Sequence, residues 1–136
     1  MSKRHEIREA AFILSFEKLF RSDSLEEIID TAKSVDVFPV NNDVEKLVNG
    51  VFEKAAEIDD IISKYSEKRS VERIPKLNLA ILRIAIYEAL YDDKVPVNVA
   101  ISEAVLLAKA YAFDTDVSFI NGILGAFSRG IENKDA

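Results

Sequence analysis

The chain has 136 residues, no cysteine and a formal charge of −6. That length suits a single domain spanning residues 1–136, able to bury roughly two thirds of its unfolded surface, and the absence of cysteine excludes disulfides and thiolate metal sites. The opening stretch Ser2 to Glu6 is charged with no apolar run behind it, so no secretory signal is expected; the longest apolar run, Leu79 to Tyr91, is interrupted by Arg83 and Glu88 and is too short to span a bilayer.

Only four Gly and three Pro punctuate the chain, and apolar residues recur at helical spacing nearly throughout. The expected fold is all-α, without strand alternation, internal repeat or low-complexity segment. A first helix is predicted over about Arg4 to Phe20. Ser24 and Glu27 then offer a capping box ahead of Leu25, Ile28, Ile29 and Ala32, an i, i+3, i+4, i+7 stripe. Asn42 and Glu45 offer another, opening one long helix whose apolar stripe runs from Val44 through Val51 and Ile58 to Tyr65. A turn-rich link from Ser70 to Pro75 has room for a helical turn. Leu79 to Tyr91 is apolar on almost every side, which predicts a central helix with neighbours on several faces. Pro96 suits the first turn of the next helix, where its missing N–H costs nothing, and Asp114 to Asp116 supply N-cap residues for the last. The tail over about 132–136 is expected to fray.

Catalysis has little to work with. His5 is the only histidine, which excludes a Cys–His pair or a His-rich zinc site, and no Gly-rich phosphate loop is present. The carboxylates mostly fall on polar helical faces, where solvation is their expected role. No catalytic residue, metal ligand or cofactor is assigned.

The charge is unevenly spread. Residues 1–21 carry five Lys/Arg against three Asp/Glu and residues 64–76 five against two, whereas residues 22–63 carry three against eleven. Two basic segments in an acidic chain can form a local positive surface, which is what a phosphate backbone senses; an ordinary solvated mixture of charges is the alternative. Lys3, Arg4, His5 and Arg8 cluster at the start of the first helix, where the macrodipole disfavours cations by about 0.3–1 kcal/mol each. Arg4 and Arg8 lie within about 40° of one another, with Phe12 and Phe16 along a neighbouring face. Cations leading into aromatics suit single-stranded RNA, with phosphates on the former and unstacked bases on the latter; core packing is the competing role for the two phenylalanines. Lys64 to Arg69, including Tyr65, Lys68 and Arg69, form the second basic segment, whose cations equally complement a helix C-terminus. Arg83 and Glu88, five apart, point about 140° away from each other, so each needs its own partner; a buried polar contact within the bundle, for instance with Asn98 or Glu103 on the next helix, is one reading.

Three blocks, LAILRIAIYEAL over 79–90, VPVNVAISEAVLLAK over 95–109 and FINGIL over 119–124, resemble in order and spacing the pattern of the NusB transcription antitermination family, and RHEIREAA over 4–11 echoes its start. The resemblance covers essentially the whole chain. It implies six to seven helices in two small packed sub-bundles and a bacterial, cytoplasmic RNA-binding factor that acts without chemistry. It further implies boxA RNA of ribosomal RNA transcripts as ligand, the small ribosomal protein NusE as partner, and assembly with RNA polymerase and the other Nus factors. Arg4, His5 and Arg8 match the family's basic start, though Glu6 interrupts it; Tyr65 and Phe119 match aromatic positions near the RNA surface. The NusE surface is placed around Asn78, Arg83, Glu88 and Glu103, with Asn78 standing where many relatives carry an acid. Two rivals remain at this stage: a helical adaptor or homodimer with no RNA role, and a stand-alone relative of the RNA-targeting domain of ribosomal RNA cytosine methyltransferases.

Overall fold

The computed structural model describes residues 3–35, 38–66 and 70–135, with side chains described between Arg4 and Ile131. Among them the chain is helical and without strands: α1 Lys3–Lys18, α2 Leu25–Val35, α3 Asn42–Glu53, α4 Ala55–Tyr65, α5 Lys76–Tyr91, α6 Val97–Tyr111 and α7 Asp114–Asp135, with a 3-10 turn at Val71–Arg73 in the link before α5. Two compact units divide the chain, one ending at Glu53 and the other beginning at Lys54.

In the first unit α1 packs on α2 and α3. The buried side chains include Ala11, Phe12 and Leu14 of α1, Ile28 and Ile29 of α2, and Val44, Val48 and Val51 of α3. Ser24 caps α2 as its sequence predicts: its Oγ accepts the Glu27 N–H at 3.1 Å and donates to Glu27 Oε1 at 3.0 Å. For α3 the cap falls one residue earlier than the predicted box. Asn41 Oδ1 accepts the Val44 N–H at 3.0 Å and the Asn41 carbonyl accepts from Glu45, so Asn42 is already the first helical residue. Lys33 and Glu45 form a 2.6 Å ion pair between α2 and α3, partly exposed and so worth at most about 1 kcal/mol.

The long helix predicted from Asn42 to Tyr65 is two. Lys54, at φ −101° and ψ 9°, interrupts it, and its carbonyl accepts the Ile58 N–H at 3.0 Å to start α4. No local stop signal stands there, since Lys and Ala are strong helix formers. The break coincides with the division between the units, so packing of each half into its own core overrides propensity.

In the second unit α5 packs on α4, α6 and α7. Every residue from Asn78 to Ile86 is buried, which is why this segment can be apolar all round. α6 seats itself through small side chains, burying Ala100, Ala104, Leu107 and Ala108, while α7 buries Ile120, Ile123, Leu124 and Phe127. Pro96 sits at the N-cap of α6, its carbonyl accepting from Val99 and Ala100 at 3.0 Å each. At the start of α7 the Phe113 carbonyl takes the capping bonds from Asp116 and Val117, leaving Asp114 and Asp116 inside the first turn, where they favour the positive end of the dipole. The helix continues to Asp135.

Candidate nucleic-acid interface

α1 carries the first set of predicted contacts. Arg4 is exposed and His5 half-buried, both in the opening turns. The side chain of Lys3 lies outside the described residues, as do Lys68 and Arg69 entirely. Arg8 does not share the exposure of Arg4, being only 5% exposed. The reason is its helical phase: Arg8, Ala11, Phe12 and Ser15 follow i, i+3, i+4, i+7, and the other three are buried as well. Arg8 therefore belongs to the inner face of α1, a placement that reading it only beside Arg4 obscures. Phe12 is buried, Phe16 half-buried and Phe20 63% exposed, forming a ladder at i+4 spacing with ring centroids 6.1 Å apart for the first pair and 4.9 Å, edge to face, for the second. The ladder runs from core to surface, so Phe16 is its middle rung. Phe20 is an exposed aromatic the sequence reading placed only at a helix end.

Tyr65 and Phe119, the aromatics of the second unit, are both half-buried. Tyr65 closes α4. Its ring meets Phe127 edge to face at 6.4 Å, Lys64 Nζ lies 5.4 Å from its centroid, and its hydroxyl reaches over Gly130, where a Cβ would collide with it. The contacts of Tyr65 on α7 thus begin eight residues beyond Phe119, about 12 Å along the helix axis. Asn121 and Gly122 are exposed on α7, and no neighbouring atom would stand within 4 Å of a Cβ at Gly122.

Of the four residues expected to meet a protein partner, three turn inward. Asn78 is 1% exposed and donates through Nδ2 to Asp116 Oδ1 at 3.0 Å; Glu88 is 4% exposed. Arg83 is also buried and grips Asp59 of α4, through Nε at 2.9 Å and Nη2 at 2.7 Å. A bidentate guanidinium–carboxylate contact fixes orientation as well as distance. Asp59 escaped the sequence reading because it lies 24 residues away on another helix. Glu103 alone remains partly exposed.

The last turn of α5 holds a further polar cluster. Tyr91 donates its hydroxyl proton to Glu57, Lys54 Nζ stands 5.4 Å from the Tyr91 centroid, and the Tyr87 and Tyr91 rings are 5.3 Å apart. The hydrogen bond to Glu57, then partial burial and the nearby carboxylate charge, raise the Tyr91 phenol above its ordinary pKa.

A helical chain of two compact units, free of strands among its described residues, with an α5 whose middle is buried on every side and short polar contacts tying its neighbours, defines an all-α protein. The chain belongs to the NusB family, whose model matches residues 5–129. It is 42% identical to the transcription antitermination protein NusB of Acetivibrio thermocellus, the match covering 97% of each chain, and 36% identical to that of Lysinibacillus sphaericus over 93% of this chain and 97% of the relative. Among solved structures, T. maritima NusB is 32% identical with a TM-score of 0.82, over 95% of this chain and 92% of that one. A structure of antitermination factors NusB and NusE in complex with dsRNA shares the fold, with a TM-score of 0.80 at 23% identity over 93% and 96% of the two chains. No described helix is long and apolar enough to cross a membrane.

Proposed function

We propose that this chain is a bacterial, cytoplasmic RNA-binding factor in transcription antitermination, holding boxA-type single-stranded RNA together with the NusE ribosomal protein in support of ribosomal RNA transcription. The observation that carries the reading is the match over nearly the whole length of relatives named for antitermination. The factor works by assembly rather than chemistry: each component bound raises the effective concentration of the next, up to RNA polymerase with the other Nus factors.

Within the first unit, Arg4 and His5, with Lys3, supply the cationic start, and Phe16 with the exposed Phe20 extends an aromatic edge from it. In the second, Tyr65 and Phe119 offer two separate stacking positions, with Lys68 and Arg69 as further cations. Arg8, Asn78, Arg83 and Glu88 act by holding their helices, given their burial. Contact with NusE then runs through Glu103 and exposed neighbours.

Gel-shift titration with boxA RNA, with and without NusE, tests this. Arg4→Ala is expected to lower the magnitude of the salt slope by about 0.7, the share of one phosphate of a single strand. Tyr65→Ala or Phe119→Ala should cost about 1–3 kcal/mol of binding where a base stacks. Folded variants that all bind as the parent does across a salt series would leave a helical adaptor without an RNA role.

A further inference from the structure

Lys64 is the last residue but one of α4 and is exposed. Asp60 stands one turn before it, in the order that favours an i, i+4 ion pair on a helix. Among the described residues Lys64 makes no such pair; its Nζ lies instead 5.4 Å from the centroid of the Tyr65 ring, within the roughly 6 Å reach of a cation–π contact. The ring is otherwise seated on α7. Phe127, 3% exposed, meets it edge to face, and its hydroxyl end lies over Gly130. Tyr65 is thus half-buried and anchored from the core side, which leaves the ammonium of Lys64 covering the part that solvent would reach.

We propose, resting on the reading of Tyr65 as a stacking position, that Lys64 is a removable cover on its ring. In the free protein the ammonium occupies the place of a base; when single-stranded RNA binds, a base takes the ring and Lys64 swings out to an adjoining phosphate. Base and ammonium exclude each other in space, whereas the flexible four-carbon stem lets the same charge reach either partner. Phe127 and Gly130 hold the ring still during the exchange. Two effects then oppose each other. Uncovering the ring gives up a cation–π contact at an exposed site, about two- to fivefold in affinity. Reaching one phosphate of a single strand returns about fivefold for each tenfold drop in salt below about 1 M. The effects balance between about 0.1 and 0.4 M salt, so Lys64 favours binding below that range and opposes it above.

Fluorescence-anisotropy titrations of labelled boxA RNA with the full chain, NusE present, over about 0.05 to 1 M KCl test the exchange. Lys64→Ala is expected to lower the magnitude of the salt slope by about 0.7 and to cross the parent, binding about two- to fourfold weaker at the low end and about two- to fivefold tighter at the high end. In a Tyr65→Leu background, which keeps an apolar side chain against Phe127, the same change should lower the slope without any crossing. A Lys64→Ala line parallel to the parent overturns the proposal. So does a shallower line that stays weaker at every salt, which would make Lys64 an ordinary phosphate contact. A Tyr65→Leu variant that melts normally and binds as tightly as the parent would overturn the stacking reading itself, and the cover with it.

Discussion

Arg83 and Asp59 hold each other through two parallel hydrogen bonds, of 2.9 and 2.7 Å, across the contact between α5 and α4. The guanidinium side chain is 10% exposed and the carboxylate 25%, so neither charge is left deeply buried without its partner. The pair ties the helix that closes at Tyr65 to the centre of its unit. Removing one member costs more than the pair is worth, because the other keeps its desolvation cost and loses this contact.

Asp59→Ala should therefore destabilise the protein by about 3 kcal/mol, the lower end for a broken buried pair because Asp59 keeps some solvent. The double variant Arg83→Met with Asp59→Leu should recover most of that loss. Urea unfolding of the three variants decides it; a double variant no better than the single would show that the ion pair stabilises outright.

Leu82 and Ile86 are fully buried on α5. Leu82→Ala and Ile86→Ala should each open a cavity and lower stability by about 2–5 kcal/mol. Losses below about 0.5 kcal/mol in denaturant titration would be incompatible with the central position of this helix.

Ser15 is 1% exposed and its Oγ has no hydrogen-bond partner. An unsatisfied buried hydroxyl costs about 1–3 kcal/mol, and Ala is also the better helix former. Ser15→Ala should accordingly raise stability by about 1–2 kcal/mol, seen as a higher midpoint at unchanged m-value. An equal or lower midpoint contradicts the account.

At Gly130 two effects oppose each other. Gly to Ala inside a helix gains about 0.5–1 kcal/mol, but the new Cβ would meet the Tyr65 hydroxyl and lie 3.1 Å from its Cζ, an overpacking worth about 1–3 kcal/mol. Gly130→Ala should thus be net destabilising, and Tyr65→Ala introduced beside it should erase the penalty. Additive effects in that double-mutant cycle would mean the ring moves aside freely.

The raised Tyr91 phenol sets a sign at high pH. Its proton is held more firmly in the folded state, by the hydrogen bond to Glu57 first. The stabilisation is fully present below pH 10, the ordinary tyrosine value, and is lost as pH rises through the raised folded value. Tyr91→Phe should be less stable near neutrality and show a shallower decline above pH 10; melting curves of parent and variant from pH 7 to 11 should converge. Curves that stay parallel would place the alkaline titration elsewhere.

Much of this architecture was legible because short-range patterns and tertiary demands agree. The all-apolar run ending at Tyr91 announced a helix with neighbours all round, and Ser24 with Glu27 announced the start of α2. The failures share a different cause. Lys54 breaks a helix in which every local preference favours continuation, and Asp59 is joined to Arg83 by folding alone. Arg8 is a case where the signal was present but was outweighed by its basic neighbours: its spacing to Ala11, Phe12 and Ser15 is that of a core position.

α6 rests on its neighbours mainly through methyl groups. Alanine side chains have no rotamers to exchange and no side-chain entropy to surrender, so this helix lacks the means by which larger side chains let a helix slide or re-seat. Its outer residues are consequently carried on a stiff mount. Whatever molecule lies against them selects a shape that exists beforehand, and changes in affinity there will arise from the visitor's own fit more than from adjustment by the host.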